Sequence, residues 1–151
     1  MQANEQISPM QTGKILWGAL LMSQVMYTVA LFISTKPVEG EIASETNPMY
    51  LPIFCSAALL CLGLGIFLPR FLLSSEKNKH HTSSLEQKVK AFMPAFILRL
   101  AMFEAIALCG FGLAFLSRDF KLYLPFVAVS AAAFLMNFPS EDKVKNAFSS
   151  I

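Results

Sequence analysis

Residues 92–116 read FMPAFILRLAMFEAIALCGFGLAFL. Almost every side chain is apolar, and 25 residues of helix exceed the 20 or so needed to cross a hydrocarbon core. Yet the stretch carries Arg99 near its start and Glu104 near its middle. The fold depends on whether this is a soluble core helix or a membrane span, and the rest of the chain decides between them.

The composition does not suit a water-soluble domain. Of the 151 residues, 55% are hydrophobic and only 15% charged, and mean hydropathy is +0.54. Fourteen Phe outnumber ten acidic residues. A chain this short has too high a surface-to-volume ratio to hide so much apolar surface. The length fits one domain, residues 1–151. Three further apolar runs join the first, giving spans at 15–33, 51–73, 92–116 and 123–139. The last has 17 residues, at the lower limit for a helix that crosses. The expectation is an all-α integral membrane four-helix bundle.

Orientation follows from lysine and arginine near the span ends. Lys14, Arg70, Lys77, Lys79, Lys88, Lys90, Lys143 and Lys145 fall on one side if the chain alternates. Lys36, Arg118 and Lys121 fall on the other, where the 34–50 connection carries Glu39, Glu41 and Glu45. Both termini and the 74–91 loop are therefore expected in the cytoplasm. The first apolar run is too long for a signal-peptide core and ends in LFISTKP without a small-residue cleavage pattern, so it reads as a retained span.

Within the 74–91 loop, Ser84-Leu-Glu-Gln87 has the form of a helix start, followed by Leu85, Val89 and Phe92 at helical spacing. This predicts a short amphipathic cytoplasmic helix. Pro94, which lacks a backbone donor, is expected to kink or separate it from the third span. His80 and His81 have no acidic or cysteine neighbour that would complete a metal site, and they read as solvated. Cys55, Cys61 and Cys109 lie inside apolar runs and read as small hydrophobes.

Packing between spans relies on small residues where no water drives association. Ala57, Cys61 and Gly65 form one four-residue repeat; Ala101, Ala105 and Gly112 form a second small face. Trp17, Tyr50 and Tyr123 lie near span ends, where amphipathic rings favour the interface. Tyr27 lies deeper.

Glu104 is 12 residues into its span, roughly 18 Å along a helix and so near the midplane. A carboxylate there is costly and normally faces a bundle interior, a partner or a water path. Without a partner it holds a proton rather than a charge. Arg99 is five residues away, about 140° around the helix, so the two do not form a same-face pair. Gln24 and Ser130 lie at similar depth in the first and fourth spans, and Asn137 lies nearer Arg99. A network of Glu104, Gln24 and Ser130 would satisfy these groups. Two roles follow: a structural tie between helices, or an intramembrane proton or cation site.

The stretch FEAIALCGFGLAF, with Glu104-Ala105, Gly110 and Ala114-Phe115, resembles the carboxylate-bearing helix of rotary ATPase proteolipid (c-type) subunits. That resemblance implies a ring of helical hairpins in which Glu104 would carry a proton or sodium ion. The layout as a whole also resembles small four-span bacterial inner-membrane proteins. No metalloprotease, serine-hydrolase, phosphate-loop or dinucleotide motif is present, and no cofactor is expected. Basic residues form no stripe with aromatics, which argues against nucleic acid. The expected partners are the bilayer and either further copies of this chain or another membrane subunit.

Overall fold

The computed structural model describes residues 8–35, 47–80 and 85–140, with 142, 144 and 146 of the C-terminal segment. Four α-helices run in chain order: α1 Pro9–Ser34, α2 Tyr50–His80, α3 Leu85–Ser117 and α4 Leu124–Met136. A 3-10 turn, η1 Phe120–Leu122, precedes α4. The described residues contain no strand.

Three helices are long and apolar enough to cross a membrane, over Met10–Ser34, Tyr50–Ser74 and Gln87–Ser117. This points to an integral membrane protein. The packing agrees: only 11% of the apolar window in α1, and 11% in α2, is buried by the rest of the chain, against 50% in α3. Met22, Met26, Phe32, Leu59, Phe67 and Phe71 are all exposed. Water would penalise such a surface heavily, whereas hydrocarbon would not.

α3 is the hub. α2 packs against it antiparallel, with Phe54 near Gly112 at one end and Gly65 against Met102 and Phe103 further along. α1 lies parallel to α3, from Gly13 beside Met93 to Leu31 clustered with Ala114. α4 runs antiparallel to both, from Tyr123 beside Ala114 to Asn137 beside Arg99. The order is up–down–up–down. The start of α1, the end of α2, the start of α3 and Val144 thus share one end of the bundle, where Val89 and Val144 are buried with Met10, Leu73 and Phe92 around them.

Local sequence explains the ends. Ser8 accepts from the Gln11 amide at 3.3 Å while the Gln11 side chain accepts from the Ser8 amide at 3.1 Å, a reciprocal cap with Pro9 in the first turn. α3 stops at Arg118, whose φ of 49° is left-handed. The Asp119 amide then reaches back to the Ala114 carbonyl at 3.1 Å. Asp119 accepts from the Lys121 amide at 2.9 Å and starts η1.

Two expectations change. The amphipathic helix and the third span are one continuous helix, α3, which runs through Pro94. Proline has no N–H to give the helix, and both Lys90 and Pro94 are exposed, so the cost of the missing bond is small. The predicted Ser84 cap lies outside the described residues. The fourth apolar run forms a 13-residue helix, about 20 Å long, with the 3-10 turn before it and non-helical residues after it. Its N–H from Asn137 closes on the Ala133 and Phe134 carbonyls, and the Asn137 side chain caps the Ala133 carbonyl at 2.7 Å.

Candidate functional site

The small residues set how closely the helices approach. A Cβ on Gly65 would stand 3.0 Å from the Met102 Cβ, and one on Gly112 would stand 2.9 Å from the Phe54 ring. Gly110 is tighter: a Cβ there would meet the Phe126 Cγ at 2.7 Å and its Cβ closer still. α4 therefore lies directly on the backbone of α3. Ala57, Cys61 and Ala105 are half-buried, and Ala101 is exposed.

This close approach carries Ser130 of α4 against α3 at the level of Glu104. Ser130 is fully buried and donates to the Phe103 carbonyl at 2.7 Å. Its only proton is thereby used, so its oxygen accepts from Gln24 Nε2 at 2.7 Å. That contact fixes the Gln24 amide, with nitrogen toward Ser130 and oxygen away. The same nitrogen approaches Glu104 Oε2 at 3.4 Å, a long and weak bond. Glu104 Oε1 is held by a short hydrogen bond with Ser23. Glu104 is 7% exposed and Gln24 3%. The result is a buried polar cluster drawn from α1, α3 and α4.

Two atoms in it leave a choice. Ser23 Oγ lies 2.6 Å from the Leu20 carbonyl as well as against Glu104, and one hydroxyl proton cannot serve both acceptors. With an ionised Glu104, Ser23 donates to the carboxylate. With a protonated Glu104, the carboxyl donates to Ser23, which turns its own proton to Leu20. Heavy atoms need not move between the two arrangements. Gln24 Oε1 is buried and has no donor among the described residues.

Sequence reasoning placed Gln24, Glu104 and Ser130 at one depth, and the structure brings them into contact. It did not single out Ser23, although a serine beside Gln24 in mid-span was the available signal. Tyr27, one turn on from Ser23, lies within interaction distance of both Ser23 and Glu104. Arg99 does not meet Glu104; its Nη1 donates to Asn137 Oδ1 at 3.2 Å.

Two aromatics near span ends are tied to the protein by hydrogen bonds. Tyr123 is fully buried, with its hydroxyl 3.3 Å from both the Gln24 carbonyl and the Thr28 hydroxyl, while Thr28 donates to the same carbonyl at 2.8 Å. Trp17 donates to the Phe134 carbonyl at 2.9 Å and meets Phe138 edge-on. Both link α1 to the α4 region, one on each side of the polar cluster.

Among the described residues, no group of three or more His, Cys, Asp or Glu could hold a metal. No family model, curated protein or solved structure matches the chain.

Proposed function

We propose that this chain is a structural or accessory component of a bacterial inner membrane. It crosses the bilayer four times with both termini in the cytoplasm. The observation that carries the reading is the buried set Ser23, Gln24, Glu104 and Ser130, which joins three helices within one chain. In hydrocarbon these side chains have no water to fall back on, so their mutual contacts select which helices meet and in what register. The exposed apolar sides of α1 and α2 are left for lipid or for a neighbouring subunit.

Four crossings are supported by the path of the last segment. The 13 residues of α4 rise about 20 Å, and the 3-10 turn adds about 6 Å at 2 Å per residue. The non-helical residues 137–140 carry the chain on beyond Met136. That approaches the roughly 30 Å of a bilayer core, and modest thinning closes the remainder. The antiparallel placement of α4 also returns Asn137 to the end where α1 and α3 begin. Reporter fusions at residue 48 and residue 74 test the orientation: residue 48 should report outside and residue 74 inside, and both on one side would end this topology.

A second reading gives Glu104 a proton-carrying role in transport, and the two acceptors of Ser23 favour it. The Glu104→Gln variant separates the two. As a tie, the amide still fills the space, and helix association and abundance in the membrane are retained. As a proton carrier, proton-dependent flux in vesicles is lost while folding persists. Unchanged flux removes the transport reading; failure of the variant to assemble, with Glu104→Asp assembling normally, shows that the tie needs an acid.

A further inference from the structure

Five residues before Glu104, about 7.5 Å along α3, the chain has a second polar centre of different character. Arg99 is half-buried beside a groove of about 380 Å³. Its walls include Leu73 of α2, Phe92 and Phe96 of α3, and Phe138 after α4, with Arg99, Asn137 and Asn146 as polar groups. A guanidinium has five N–H donors in a planar fork. One goes to Asn137, and no carboxylate among the described residues pairs with Arg99. Arg70, exposed toward the same end of the bundle on α2, is a further cation. Leaving the half-buried Arg99 charge beside apolar walls is unfavourable unless an anion joins it.

The surroundings of the groove select the kind of anion. Ile97, Leu72, Met136 and Phe138, on α3, α2 and the end of α4, are exposed large apolar side chains. The groove lies toward the end of the bundle that holds the start of α3 and the end of α2, where Lys88 and Arg70 are found. A free inorganic ion would use the arginines but leave the aromatic walls bare. A molecule with a phosphate at one end and a hydrocarbon chain at the other uses both.

We propose that this groove binds an anionic phospholipid, with its phosphate on the free donors of Arg99 and an acyl chain along Phe92, Phe96 and Phe138. Arg70 adds long-range attraction for a net negative headgroup and so sets the preference over zwitterionic lipids. The bound lipid would fasten the ends of α2, α3 and α4, of which Asn137 joins α3 to α4 through Arg99. This rests on the chain lying in a bilayer. A chain that needs no detergent would contradict that premise, whereas a detergent-requiring chain without lipid preference contradicts only the site.

The test is native mass spectrometry of the purified full chain in mild detergent, titrated with phosphatidylglycerol, phosphatidylcholine or inorganic phosphate. The wild type should retain phosphatidylglycerol about ten-fold more strongly than phosphatidylcholine, and millimolar inorganic phosphate should not displace it. Arg99→Gln should bring the two lipids level. Arg70→Gln, at an exposed position outside the packed core, should cut the preference about five-fold and guards against a folding defect in the first variant. Equal retention of both lipids by the wild type would overturn the proposal. So would displacement by inorganic phosphate alone, which would mark a free-anion site, or an undiminished preference in folded Arg99→Gln.

Discussion

The closest helix contact in the bundle gives the sharpest mechanical prediction. Replacing Gly110 with alanine adds a single methyl group, chemically harmless in an apolar helix. In place, that methyl would stand 2.7 Å from the Phe126 Cγ, about 0.7 Å inside the 3.4 Å at which ordinary contact begins. The obstructing atoms are at the root of the Phe126 side chain and cannot swing aside as a flexible tip would. α4 as a whole must therefore retreat from α3. A retreat of that size stretches the 2.7 Å bond from Ser130 to the Phe103 carbonyl to about 3.4 Å, where it is long and weak. Overpacking of this kind costs about 1–3 kcal/mol, and weakening the bond adds up to about 1 kcal/mol. Gly63 is the control, since a Cβ there meets nothing within 4 Å. Unfolding in a lipid–detergent mixture, followed by helical circular dichroism, should show Gly110→Ala destabilised by about 2–4 kcal/mol. Gly63→Ala should match the wild type or exceed it. Equal stability of Gly110→Ala and wild type would refute the close seating of α4 on α3, and with it the placement of Ser130.

Other outcomes follow from the same geometry. Trp17→Phe keeps an aromatic ring but loses the 2.9 Å bond to the Phe134 carbonyl, and should cost about 0.5–1.5 kcal/mol in the same unfolding assay. Cys55, Cys61 and Cys109 are free, half-buried thiols in helices long enough to span a membrane. A charged maleimide needs a hydrated thiolate, so intact vesicles should resist labelling and dissolution in sodium dodecyl sulfate should expose all three sites. Labelling of intact vesicles at wild-type speed for a surface thiol would place these helices in water.

The positions of the long helices could be read from composition and length, because a run of about 20 apolar residues has few other uses. So could the depth of Gln24, Glu104 and Ser130, since a helix advances by a fixed rise per residue. Which way each side chain faces could not. Apolar residues surround these helices on every side, so no amphipathic stripe marks the inner face. Ala101 and Ala105 illustrate this: both belong to one small-residue repeat, yet Ala101 is exposed while Ala105 is half-buried. The contact that fixes α4 is made at Gly110, whose partner Phe126 carries no signal that distinguishes it from the other phenylalanines. Tyr123 was assigned to an interface because of its place at a span end. Its hydroxyl instead reaches the Gln24 carbonyl, made available where α1 and α4 pack. Pro94 suggests a kink or a break because it lacks a backbone donor, but at an exposed position near the start of a long helix the missing bond is tolerated.

The account depends most on the carboxylate and the amide acting together as one buried tie between α1 and α3. A double-mutant cycle with Gln24→Leu and Glu104→Leu, read by unfolding in lipid, measures that tie directly. Each single variant removes the shared contact, leaving Glu104 with Ser23 and Gln24 with Ser130, so the pair should lose less than the sum of the singles, by about 0.5–2 kcal/mol. Losses that add to within about 0.3 kcal/mol would mean that the two side chains are independent, and would contradict the account.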